Sequence, residues 1–267
     1  MHFEKNHIIE ICPTLMEGID KLAACAQKSY GNGKATAFLD CHSNFRTEMS
    51  FRTVMQEIES RDTAVQTACK FLVSIDCPED GAKTAVILLN ALLKETAACG
   101  ISERKLIASL TPVVSYMKEY LARIDQETGK GIPGGGLYLL NLARPLDYFA
   151  AQHSNHEAVV QAVISILAEP LKVLAENAGI DPCQVYERVK MLAPNQFFSL
   201  NHFGLERSID RGTGHVDVFS IGLDVSDSKL KNFMDADIMV SLDTGCKILD
   251  YLDCAVKKLF AIASVQI

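Results

Sequence analysis

The sequence predicts a mainly α fold, a helical bundle carrying a small β hairpin and terminal strands. Three observations predict it. Apolar residues recur at the i, i+3, i+4, i+7 spacing of a core-facing helix through most of the chain. Of 267 residues, 48% are hydrophobic and 22% charged, enough apolar surface for a sizeable core. Period-two alternation, the mark of a half-buried strand, is confined to residues 35–47 and the C-terminus. The expected organisation is a single domain, 1–267, built from two halves, 1–125 and 134–267, joined by a short linker at 126–133.

In chain order, Ile19, Leu22, Cys25 and Ala26 mark a first helical face. Ala35 to Leu39 and Phe45 to Thr47 read as a hairpin turning at His42-Ser43-Asn44. Val65, Ala68, Cys69, Leu72 and Val73 form the next helical stripe, and Thr84 to Leu93, apolar on nearly all sides, reads as a fully buried helix. Leu106, Leu110, Val113, Met117, Leu121 and Ile124 mark a long amphipathic helix, with Ser102 placed to cap it. Asp125 to Pro133 is the clearest break, and neither half has the caps and core to stand alone. A helix over Val159–Ala178 is expected to kink or break at Pro170, whose ring removes an N–H and crowds the preceding turn. Residues 191–230 read as loop with short strands. Ile248, Leu252, Ala255, Val256 and Leu259 mark the last helix, and Ala261 to Ile267 read as a final strand.

Composition excludes several function classes. A net charge of −7 and an isoelectric point near 5.5 oppose general nucleic-acid binding, which needs a basic face for phosphates. The start, Met1-His2-Phe3-Glu4-Lys5, has no apolar stretch behind a basic one, so no secretory leader is expected. The apolar run Ala85–Leu89 is too short to span a bilayer, so no membrane partner is expected. Nine cysteines, without a C-x-x-C pair, read as reduced structural thiols of a cytoplasmic protein.

Three glycine-bearing segments are candidates for chemistry. Ser29-Tyr30-Gly31-Asn32-Gly33-Lys34 follows a helix and serves either as an ordinary C-cap and turn or as a loop approaching a ligand. Glu79-Asp80-Gly81-Ala82-Lys83-Thr84 opens the buried helix. Its free N–H groups would receive an anion, with Asp80 holding Mg²⁺ and Lys83 neutralising phosphate; alternatively Asp80 is a plain N-cap. Gly134-Gly135-Gly136 either lets backbone approach a ligand or forms a flexible join. His153 and His156 lack a third ligand at metal spacing and read as solvated surface residues. Asp181-Pro182 reads as a helix start.

Taken in order, these segments resemble one family, the group I chaperonins (GroEL family). Gly18-Ile19-Asp20-Lys21-Leu22-Ala23, Ser29 to Lys34 and Phe38-Leu39-Asp40 resemble its first helix, phosphate loop and stem strand. Gln56-Glu57-Ile58-Glu59 resembles the acidic start of the next helix. Asp80 to Thr84 is similar to its G-D-G-T-T-T loop, and Gly134–Gly136 to the triplet opening its C-terminal half. Glu169-Pro170-Leu171, Asn177, Gly179 and Pro182 follow in family order. Leu242-Asp243 resembles the segment that closes over adenosine. Residues 191–235 are poorly covered.

The resemblance implies an equatorial (nucleotide-binding) domain alone, since the span that carries the family's intermediate and apical domains is reduced here to the linker. It implies an ATP or ADP site with Mg²⁺ held by Asp80, lined by Gly31, Asn32, Asp80, Gly81, Ala82, Lys83, Thr84, Gly135, Gly136 and Asp243. The intermediate domain supplies the water-activating carboxylate, so little or no hydrolysis is expected. The function implied is an adaptor or assembly factor for a protein partner. A small ATPase, or a structural oligomer with a vestigial pocket, stands as the alternative. Contacts to a partner or a second copy are expected through the hairpin and the terminal strands, near Phe3–His7 and Ile262–Ile267.

Overall fold

A computed structural model describes residues 12–31, 34–191, 221–224, 229–232 and 238–265. Helix α1 (Pro13–Lys28) starts on a proline, whose fixed φ suits a first turn. Strands β1 (Thr36–Leu39) and β2 (Phe45–Glu48) pair antiparallel, Thr36 opposite Glu48 and Leu39 opposite Phe45. Asp40 closes their turn, its Oδ1 accepting from the amides of His42 and Asn44 at 2.9 Å each. Helices α2 (Phe51–Glu57) and α3 (Thr63–Val73) follow. Asp62 caps α3, its carboxylate accepting from the Ala64 and Val65 amides.

Helix α4 (Ala82–Ala98) is the axis of the molecule. Ala85 to Leu89 are all at most 1% exposed, as the all-round apolar pattern requires. It packs against α1 on one side and against α8 (Glu157–Ile166) and α9 (Glu169–Asn177) on another. It also meets the last helix, α11 (Leu242–Val265), which in turn lies along α5 (Glu103–Thr128). Helices α6 (Leu137–Leu140), α7 (Ala143–Gln152) and α10 (Pro182–Met191) complete the helical set among the described residues. The fold is thus mainly α, as expected. Its main core draws Leu15, Leu72, Leu88 and Val113 from before the linker and Leu146, Val160 and Val256 from after it. A smaller cluster of Leu137, Leu140, Leu171 and Val185 lies beside it.

Two further strand pairs are small. Strand β3 (Ile132–Pro133) pairs with β6 (Met239–Val240), binding the linker to the chain just ahead of α11. Between them in sequence, β4 (Ile221–Asp224) pairs with β5 (Lys229–Asn232), the kind of short strand expected after residue 191.

Three local expectations are corrected. The final strand at Ala261–Ile267 is instead the end of α11, helical to Val265. Adding residues to an existing helix is cheap. The linker is shorter than expected, because α5 continues to Thr128 and stops at Gly129. Ser102 stands at the N-cap of α5, but its hydroxyl makes no capping bond. The expected break in the Val159–Ala178 stretch is present: the chain leaves the helix at Leu167–Ala168, and Pro170 falls in the first turn of α9. The expected N-terminal strand near Phe3–His7 lies outside the described residues.

Candidate functional site

The N-terminus of α4 opens into a cavity of about 290 Å³. Its floor is set by Gly81, which occupies the N-cap with φ 88°. Its missing Cβ matters twice: a left-handed backbone suits glycine, and a methyl there would meet Ile248 Cδ1 at 2.5 Å. No side chain caps this helix. The first-turn N–H groups therefore face the cavity at the positive end of a long helix dipole.

Asp80 was a candidate N-cap, and the structure corrects this. With Gly81 in that position, Asp80 sits one residue earlier, exposed, and its Oδ2 accepts from the Thr244 hydroxyl at 3.4 Å. It lies in the cavity wall beside Glu79.

The Ser29–Gly31 loop forms a second wall. Asn177, from α9, donates to the carbonyls of Gln27 at 2.7 Å and Tyr30 at 2.8 Å. Lys83 reaches back from α4 and donates to the carbonyls of Ser29 at 2.7 Å and Lys34 at 3.0 Å. It is half-buried, and loss of water holds its ammonium below the ordinary lysine range. Carbonyls hold this charge, and among the described residues no carboxylate pairs with it. The Tyr30 hydroxyl lies 2.7 Å from that of Thr84. Burial, with a smaller contribution from the Asp80 charge, pushes the Tyr30 hydroxyl up to about 12.

The third wall is Gly135 and Gly136, with φ 59° and 78°, followed by Tyr138 on α6. Tyr138 is 3% exposed and, among the described residues, its hydroxyl has no hydrogen-bond partner. Burial raises it well above the usual tyrosine range, and the charge on Asp80 adds to this.

Eight of the ten sequence candidates therefore meet at one cavity: Gly31, Asp80, Gly81, Ala82, Lys83, Thr84, Gly135 and Gly136. Asn32 lies outside the described residues. Asp243 does not reach the wall; it is exposed and pairs with Lys247 at 2.6 Å. The next residue, Thr244, lines the cavity instead. One step along a helix turns a side chain by about 100°, so a sequence match one residue off lands on solvent. Tyr30 and Glu79 stand inside the glycine-bearing segments but had no role read for them, and Tyr138 was missed altogether. Tyr138 had a signal, since it stands two residues past Gly136, where an aromatic ring with a polar tip suits a site wall.

The residues present fit the phosphate end of a nucleotide. They provide a glycine-rich cradle, a helix N-terminus, an ammonium held on carbonyls and a buried hydroxyl. Among the described residues no three His, Cys, Asp or Glu side chains gather as a metal site. Asp80 and Glu79 fit a Mg²⁺ only of the kind that shares its oxygens with phosphate.

No family model matches the chain. Over 134 residues, 48% of its length, it is 31% identical to a protein described as chaperonin GroEL 3 from Acaryochloris marina (strain MBIC 11017). The relationship is chaperonin-like. The matched stretch is 23% of that chaperonin, so the chain spans less than a quarter of its relative.

Proposed function

We propose that this chain is a chaperonin-like adaptor or assembly factor for a specific protein partner, consisting of an equatorial-type domain without the two others. Its pocket binds ATP or ADP with Mg²⁺ and hydrolyses it slowly or not at all. The carrying observation is the meeting of Gly31, Gly81 and Gly136, from three distant segments, around the uncapped end of α4. Slow turnover follows from the span between α5 and Gly134, where the chaperonin intermediate domain would supply the base; here it holds only Gly129 to Pro133. The partner surface is the hairpin, whose apolar side chains Leu39, Phe45 and Met49 are all about half exposed or more. The C-terminal strand once expected to share this role is helix and is no longer part of it. The nine free thiols suit a cytoplasmic setting.

Calorimetric titration of the full chain with ATP and Mg²⁺ tests the pocket, and binding is expected. Absence of binding would leave a vestigial pocket and remove the nucleotide from the proposal. Phosphate release is then expected to stay near the rate without protein. The cavity does contain a second carboxylate, Glu79, and this favours the small-ATPase reading if release is fast and Glu79→Gln stops it. Affinity capture from the host, with and without nucleotide, and sedimentation of the chain alone separate a foreign partner from self-association.

A further inference from the structure

Among the described residues, the Tyr138 hydroxyl is the buried, unpartnered side-chain polar atom that belongs to a cavity-lining residue. The others, on Asn90 and His156, lie on residues outside the cavity wall. A buried hydroxyl without a partner is destabilising, and native structures rarely keep one without a use. Phenylalanine would fill the same space on α6 without that cost. The ring stands two residues past Gly136 and lines the same cavity as Asp80 and Tyr30. Burial keeps its hydroxyl protonated, and a protonated hydroxyl with a spare hydrogen donates to an anion. The neighbouring Tyr30 hydroxyl is already engaged with Thr84, which leaves Tyr138 as the tyrosine donor in reserve.

We infer that Tyr138 is a ligand-binding residue whose hydroxyl donates to an oxygen of the bound phosphoanion at the mouth of α4. The inference rests on the nucleotide reading above and deepens it, because it names the donor and the part of the ligand it meets. Two further positive contributions belong to the same cavity: the N-terminus of α4 and Lys83, whose ammonium is held on the carbonyls of the Ser29–Lys34 loop.

The test uses the full chain, inorganic pyrophosphate and ADP as probes, each with and without Mg²⁺, and the variant Tyr138→Phe. The expected result is a roughly tenfold to hundredfold weaker affinity for both probes, the range for a lost hydrogen bond to a charged group. The melting temperature without ligand should be unchanged or higher, an outcome that a structural tyrosine would not give. The chain has seven tyrosines and no tryptophan, so its near-ultraviolet absorbance reports tyrosine, and pyrophosphate is transparent there. Pyrophosphate should shift the wild-type spectrum, should shift Tyr148→Phe, exposed and outside the cavity wall, as well, and should leave Tyr138→Phe unshifted. This spectral readout on wild type and Tyr148→Phe stands even if Tyr138→Phe folds poorly. Equal affinity in wild type and Tyr138→Phe, or no tyrosine shift in the wild type with probe bound, overturns the inference and leaves the nucleotide reading intact. A wild type that binds neither probe overturns both.

Discussion

Gly81 and Lys83 shape the cavity by opposite means, one by lacking a side chain and the other by directing a charged one away from solvent. Gly81→Ala would strain a left-handed backbone and press a methyl against Ile248. The strain costs about 1–2 kcal/mol; the contact is with the flexible end of a side chain and adds less. Urea unfolding should therefore show a loss of about 1–3 kcal/mol with an unchanged slope. Lys83 makes a prediction in pH. Its folded-state proton leaves below the ordinary 10.5 because the ammonium is partly desolvated. Between the folded value and 10.5 the unfolded chain binds more protons, so this cost is fully present at neutral pH and fades as pH rises through that window. The stability of Lys83→Met relative to wild type should fall as pH rises through that window, read as the difference between the two melting temperatures against pH. The same variant should speed amide exchange in the loop around Gly31, since two carbonyl bonds are lost.

Helix pairing depends on how closely backbones approach. In α1, a Cβ on Gly18 would lie 2.0 Å from the Ala64 carbonyl oxygen and 2.7 Å from Ala68 Cβ. Those atoms belong to α3 and cannot move aside as a side-chain tip can. Gly18→Ala should push α1 off α3 and cost about 3 kcal/mol or more, at the upper end for overpacking. Denaturant titration checks this; a loss below about 1 kcal/mol would mean that the two helices slide freely. Helices that end where their residues say they should include α9, started by Pro170, and α3, capped by Asp62. Helix α11 runs past the expected point because alternation over seven residues is too short a window to outweigh a helix already formed.

Seen entire, the molecule threads α4 through a core to which both sides of the linker contribute. Leu88 is fully buried at its centre. Leu88→Ala should cost about 2–5 kcal/mol, and calorimetry should still show one transition, shifted to lower temperature. Two resolved transitions would mean that the halves, 1–125 and 134–267, hold separate cores. The convergence of Gly31, Gly81 and Gly136 depends on this shared packing, since each is carried by a different part of the chain.

Much of this was legible residue by residue. Helical stripes are local, so α1, α3, α4, α5 and α11 could be read from spacing alone, as could the β1–β2 hairpin from its turn residues. The glycine segments could be read because a backbone that meets a ligand closely tolerates little else. Site chemistry was less legible, because it depends on side-chain direction across long separations. Asp80 meets Thr244 over 164 residues, and Lys83 meets Ser29 over 54. No local pattern states the angle at which α11 crosses α4, yet that angle brings Thr244 to the wall and turns Asp243 to solvent. Burial of Tyr138 was equally hidden: whether a hydroxyl finds a partner is settled by every element packed around it, and none of those neighbours is written into the residues beside it.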